Sequence, residues 1–123
     1  MTPLQERLLR IKERLPEGVK LVAVSKFHSK SALQEAYDVG QRVFGESRVQ
    51  ELVGKQQSLP HDIAWHFVGH LQVNKVKYIA PFISLIHAVD SLRLLEEIDK
   101  HGRKNNRHIP CLIQVHVAKE EGK

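Results

Sequence analysis

The stretch Leu21-Val22-Ala23-Val24-Ser25-Lys26 reads as a short apolar strand that closes on a lysine. An apolar, β-branched run bounded by polar residues is a strand signal. A lysine at its end sits at the C-terminal rim of a buried sheet, where the chemistry of α/β folds collects. A partly desolvated lysine gives up its proton more readily and condenses with an aldehyde to a Schiff base. Lys26 is therefore a candidate anchor for an aldehyde cofactor such as pyridoxal phosphate. The competing reading is a surface lysine that only ends a strand.

Outward from this strand the chain alternates. Leu4, Leu8, Ile11 and Leu15 recur at helical spacing, and Pro16-Glu17-Gly18 ends that helix. Strand one covers about 20–26. Ser31 reads as an N-cap with Glu35 near the capping-box position, opening a helix through Leu33, Ala36 and Tyr37 that stops near Gly40. Strand two is 42–46, and a helix through Val49, Leu52 and Val53 runs to Ser58-Leu59-Pro60. Strand three is 63–69, followed by a helix through Val76, Tyr78 and Ile79 that ends before Pro81. Strand four is 85–89. Ser91 caps a helix bearing Leu92, Leu94, Leu95 and Ile98, and strand five is 111–117.

A helix, four βα units and one more strand imply parallel strands joined by right-handed crossovers. An open doubly wound sheet competes with the first half of an eight-stranded barrel, which takes about 250 residues when whole. No Gly-x-Gly-x-x-Gly follows strand one, so the dinucleotide fingerprint is missing. The sequence ends at Ala118-Lys119-Glu120-Glu121-Gly122-Lys123, where a further helix should begin. The expectation is an α/β chain of parallel (βα) units forming the first half of a TIM-type (β/α)8 barrel, preceded by an N-terminal helix. Residues 1–123 would make one partial barrel domain, its C-terminal half absent.

Hydrophobic residues make up 41% and charged residues 27%, an ordinary globular balance. One cysteine, Cys111, excludes an internal disulfide framework and reads as a small core residue. No apolar stretch reaches membrane-spanning length and the N-terminus has no signal-peptide pattern, so the cytoplasm is the expected compartment. The net charge of +5 raises nucleic acid as a partner. The basic residues are scattered, however, at Arg7, Arg10, Lys12, Arg14, Lys55, Lys75, Lys77 and Arg103, usually near acids, and 102–108 reads as a solvated helix end. Few aromatics are available for base stacking, so no nucleic-acid partner is expected. The modest basic balance also suits a pocket for an anionic phosphate.

The strand ends are small or polar: Ser25-Lys26, Gly45-Glu46-Ser47, Gly69-His70 and Asp90-Ser91. Glycine there permits close backbone approach to a ligand, although Gly45 and Gly69 also serve as turns and Asp90-Ser91 as a cap. His66 and His70 are four apart without the helical glutamate of a zinc protease, and no Cys–His spacing fits zinc, so no metal site is expected. His66 is expected to pack and hydrogen-bond inside the barrel, with Trp65 facing the helices. His28, His61, His101 and His108 are expected at the surface.

Four blocks carry a resemblance: Leu-Val-Ala-Val-Ser-Lys (21–26), Phe44-Gly45-Glu46-Ser47-Arg48-Val49-Gln50-Glu51, the run 65–77 from Trp65-His66-Phe67-Val68-Gly69-His70 through Leu71-Gln72-Val73-Asn74-Lys75, and Ile86-His87-Ala88-Val89-Asp90-Ser91. In this order they resemble the pyridoxal phosphate homeostasis proteins, short single-domain relatives of the alanine racemase N-terminal barrel. The resemblance covers essentially the whole chain. It implies a cytosolic protein that holds pyridoxal 5′-phosphate as a Schiff base on Lys26. Such a protein buffers the cofactor or delivers it to dependent apoenzymes in vitamin B6 homeostasis, without robust catalysis and so without a catalytic residue to assign.

The resemblance also places Ser47, commonly asparagine in that family, and Asn74 beside the cofactor. His87 and Gln114 would face it if their pleat matches Lys26, and Val22 and Val24 would line the interior. Family members run to about twice this length, as a full barrel requires. Their second half carries phosphate-binding elements, a Ser-x-Gly-Met-Ser stretch and a late Gly-rich loop at a helix N-terminus. A half-barrel leaves strands one and five as open edges, from which self-association is expected. Two other readings stay open. A racemase or lyase of the same cofactor class needs a second acid–base group, commonly a tyrosine, and Tyr37 and Tyr78 fall on helices away from the rim. A fragment or interaction module would use no cofactor.

Overall fold

The first helix begins where the sequence offers a complete cap. Thr2 Oγ1 accepts from Gln5 N at 3.2 Å, Gln5 Oε1 accepts from Thr2 N at 3.0 Å, and Pro3 takes the first helical position. This helix, α1 (Pro3–Arg14), lies against α2 (Lys30–Asp38) through Leu4 and Leu8, and Gln5 Nε2 donates to Glu35 O at 2.9 Å. The computed structural model from which these contacts come describes residues 1–117. The run 118–123, where a further helix was expected, lies outside the described residues.

The cap of α2 is Ser29 rather than Ser31. Ser29 has extended backbone and accepts from Ala32 N at 3.2 Å, so the helix starts two residues before the sequence-based position. The helix closes on a Schellman motif, with Gly40 N donating to Tyr37 O and Gln41 N to Ala36 O. Gly40 takes the φ of +104° that this closure needs and that a side chain would resist. Gln41, buried next to it, donates its amide to Leu21 O at 2.9 Å and Val43 O at 2.7 Å, tying the approach to strand one onto strand two.

Five strands, β1 (Ala23–Val24), β2 (Val43–Glu46), β3 (Ala64–Phe67), β4 (Leu85–Val89) and β5 (Cys111–Ile113), pair in sequence order, all parallel. That order separates the two architectures. A doubly wound sheet reverses direction at a switch point. A singly wound arc with right-handed crossovers carries its helices on one face, as a barrel does. The chain is an α/β arc of parallel (βα) units, half of a TIM-barrel-like fold with an N-terminal helix. The outer strands are shorter than their apolar runs, because β1 and β5 each pair on one side only among the described residues. A register shift between Ile86 and Val89 bends β4 against β5.

Residues of alternating pleat divide the sheet. Phe44, Trp65, Phe67 and Ile86 point to the helix layer and pack with Leu33 and Ala36 of α2, Leu52 of α3 (Val49–Ser58), Val76 and Ile79 of α4 (Val76–Ile79), and Leu94 and Ile98 of α5 (Leu92–Lys104). Trp65 therefore faces the helices as expected, and Cys111 is half-buried against this core. The helix expected around Val76 is one α turn preceded by a 3-10 turn over Val73–Lys75. His28, His61 and His108 are exposed, whereas His101, expected at the surface, is half-buried beside Glu97 on α5. No described helix is long and apolar enough to cross a membrane.

Candidate functional site

Lys26 follows β1 at the C-terminal edge of the sheet, and its side chain is exposed rather than partly desolvated. Its neighbours are held far more firmly than its own side chain. Ser25 is buried; its N–H donates to Gly45 O at 2.9 Å and so continues the ladder with β2. Phe27 adopts φ +66°, a left-handed conformation that costs a non-glycine residue roughly 1–2 kcal/mol. The cost is offset by a charge-assisted bond in which Phe27 N donates to Glu51 Oε2 at 2.7 Å. The Phe27 ring lies under the Arg48 guanidinium at 5.6 Å.

Beneath this turn is a buried charged cluster that the sequence reading missed. Glu46 ends β2, where the sequence suggests a polar rim, and Lys55 is one of the basic residues scattered along the chain near acids. Both are buried, at 0% and 4% exposure. Glu46 shares the pleat phase of Phe44 and so points into the helix layer. Lys55 lies three residues after Leu52, on the inward face of α3. Lys55 Nζ spends all three of its donors, on Ser25 O, Glu46 Oε2 and Glu51 Oε2, each at 2.9 Å. The Ser25 hydroxyl also bonds Glu46 Oε2. Burial pushes the Glu51 carboxyl upward, but hydrogen bonds from Lys55 and from the Phe27 N–H outweigh it and hold the group below the usual carboxylate range. The sequence signal was present: a Glu51–Lys55 pair at i,i+4, with Lys55 in phase with the apolar residues of its helix.

The inward face of the sheet carries the second cluster. His66 Nδ1 and His87 Nε2 are 2.9 Å apart. Burial, followed by the neighbouring charges of His87 and Lys20, pushes the His66 imidazole below its ordinary value. His66 thus hydrogen-bonds within the sheet as expected, and half-buried His87 lies on the inward face. Gly45 serves packing on that face, since a Cβ there would meet Val68 Cγ1 at 3.2 Å and Val22 Cγ1 at 3.3 Å. Val24, on the same face, is 55% exposed because no described element covers the inner side of β1.

Ser47 is half-buried at the head of α3 and lines an open cavity of about 740 Å³ with Arg48, His70, Gln72, Lys75 and Tyr78. No carboxylate is among its lining residues, so its electrostatic character is positive. Tyr78, expected away from the rim, shares this cavity with Ser47. Asn74 is exposed on the turn that supplies Lys75 but lies outside the lining. Gln114 is exposed just beyond β5, its N–H donating to Val89 O at 2.7 Å. The structure therefore groups Ser47 with the cations of the cavity and His87 with His66, and leaves Asn74 and Gln114 at separate surface positions.

Residues 2–120 match the family described as the N-terminal domain of alanine racemase. The chain is 40% identical over 129 residues to the pyridoxal phosphate homeostasis protein of Aquifex aeolicus (strain VF5), covering 96% of this chain and 57% of that one. It is 38% identical over 114 residues to the protein of the same name from Escherichia coli (strain K12), covering 89% and 49%. Among solved structures, PipY of Synechococcus elongatus PCC7942 with pyridoxal phosphate bound superposes with a TM-score of 0.86 at 42% identity, over 94% of this chain and 55% of that one. The chain spans about half the length of the curated relatives it matches.

Proposed function

The chain belongs to the alanine racemase N-terminal domain family, and from that premise we propose that it binds pyridoxal 5′-phosphate through Lys26 and serves cofactor homeostasis rather than catalysis. One observation carries the reading: an exposed primary amine stands on a turn held from both sides, at the C-terminal edge of a parallel sheet. The bound cofactor supplies an aldehyde, which condenses with a primary amine with loss of water, and a phosphate dianion. The chain offers a partner for each group separately, and Lys26 itself is not among the residues lining the cavity. Lys26 offers the amine, and the cavity beside Ser47 gathers Arg48, His70 and Lys75 with no opposing carboxylate. Tyr37, one of the tyrosines a racemase reading would enlist, has its hydroxyl bonded to Asp62 and its ring under the Arg42 guanidinium at 3.7 Å.

In this proposal residues 1–123 act as one barrel-forming domain in the cytoplasm, cofactor-dependent apoenzymes are the recipients of the cofactor, and a second copy pairs with the open sheet edges. The relatives that support the reading are proteins named for pyridoxal phosphate homeostasis. The test is visible absorbance after adding pyridoxal 5′-phosphate, then borohydride reduction and peptide mapping. A yellow species trapped on Lys26 and lost in Lys26→Ala is expected. Label spread evenly over the surface lysines, or none, would overturn the proposal.

A further inference from the structure

The turn that presents Lys26 has a weakness and a compensating device. β1 is a two-residue strand that pairs only with β2 among the described residues, so its end gets little stiffness from the sheet. α3, by contrast, is anchored in the core through Leu52, which is fully buried. Two side chains of α3 reach across to the backbone on either side of Lys26. Lys55 Nζ donates to the carbonyl of Ser25 at 2.9 Å, and Glu51 Oε2 accepts from the N–H of Phe27 at 2.7 Å. The same Glu51 oxygen accepts from Lys55 Nζ at 2.9 Å, which closes the ring Ser25–Lys55–Glu51–Phe27 around Lys26. The Ser25 carbonyl also accepts from His28 N at 3.0 Å.

Resting on the proposed function, we propose that Glu51 and Lys55 are positioning residues for Lys26. They clamp the peptide before and after it, so that a flexible four-carbon side chain starts from a fixed backbone and delivers its amine in one direction. A lysine side chain loses considerable rotamer freedom when its amine is held at a reacting atom. Backbone freedom would add to that loss, and the clamp removes it in advance. Glu46 completes the device from below. It accepts from Lys55 Nζ at 2.9 Å and keeps the ammonium centred under the turn.

The test uses the whole chain and three forms of it: parent, Glu51→Ala and Glu51→Gln. Glu51 is partly exposed, so its loss leaves the buried Glu46–Lys55 pair in place. Glutamine retains an acceptor oxygen for the Phe27 N–H. The first readout is the backbone order of Lys26 and the hydrogen exchange of the Phe27 amide by NMR. In Glu51→Ala the Lys26 order parameter should fall from about 0.85 to below about 0.6. Phe27 exchange should rise about tenfold, the loss expected for one charge-assisted bond. Glu51→Gln should recover most of both. The second readout is the initial rate of borohydride-trapped labelling of Lys26 by pyridoxal 5′-phosphate relative to Lys30. That ratio should fall severalfold in Glu51→Ala and recover in Glu51→Gln.

Unchanged order at Lys26 in Glu51→Ala overturns the clamp. Lost order with an unchanged labelling ratio overturns the delivery role. A parent chain that takes no label on Lys26 sinks the proposed function and the delivery role with it, and the order parameter and amide exchange still decide the clamp.

Discussion

His66 Nδ1 and His87 Nε2 share one hydrogen bond at 2.9 Å across neighbouring strands, and the bond requires at least one of the two rings to be neutral. The His66 pKa is lowered, by burial first and then by the charge of His87 and Lys20. The sign follows from linkage. In the folded state His66 resists protonation, whereas the unfolded chain takes up its proton near the ordinary histidine value of about 6.5. Stability should be level above that pH and fall as pH drops below it, through the window down to the depressed folded value. Urea unfolding at pH 7.5, 6.5 and 5.5 measures this. A His66→Gln chain should lose part of the slope, and an NMR titration placing His66 at or above the ordinary value would sink the argument.

Lys55 supports a second prediction. Replacing it with methionine strands Glu46 as a buried, unpaired carboxylate, a change that typically costs about 3–5 kcal/mol. Lys55→Met should therefore lower the denaturant midpoint sharply or abolish folding. Adding Glu46→Gln should return part of the loss, because a neutral amide no longer needs a counter-charge. Equal midpoints for the single and double variants would mean that the pairing of Lys55 with Glu46 is energetically unimportant.

Arg107 supports a third. Its guanidinium donates to Ala80 O at 2.6 Å and Ile83 O at 2.7 Å, bracing the segment between α4 and β4 from the loop after α5. Charge-assisted bonds of this kind contribute about 1.5–3 kcal/mol each at most. Arg107→Ala should lower stability by about 2–3 kcal/mol. Arg107→Lys should recover less than half, since an ammonium lacks the planar fork that reaches two carbonyls. Full rescue by lysine would show that only the charge matters.

A fourth prediction follows from the inner face and strand edges that no described element covers. Val24, Leu112 and Ile113 are 55%, 52% and 56% exposed, along the two outer strands. Unpaired edges with apolar residues invite pairing. Sedimentation of the 123-residue chain should show association that rises with concentration and weakens in Leu112→Lys. A single species of monomer mass across the concentration range would rule out pairing between copies.

Much of the fold was legible in the residues because periodicity is a local property. Each run of apolar side chains at spacing two or near 3.6 marked its element, and Thr2, Gly40 and Ser91 punctuated the helices through bonds to residues three or four positions away. The Ser29 cap shows the limit of that reading. Ser29 and Ser31 flank the same helix start, and the backbone conformation of Ser29 decided between them.

The candidate site divides in the same way. The sequence by itself determined that a lysine follows the first strand and that the units are parallel βα repeats, because both depend on near neighbours and on handedness rules that hold for any chain. It did not reveal that Glu46 and Lys55 meet under that lysine, nor that His66 and His87 meet on the opposite face. Those pairs are 9 and 21 residues apart, and only strand register and helix rotation bring them together. Tertiary structure decided them, because a buried charge or polar ring needs a hydrogen-bonding partner, and here the partner comes from a different element.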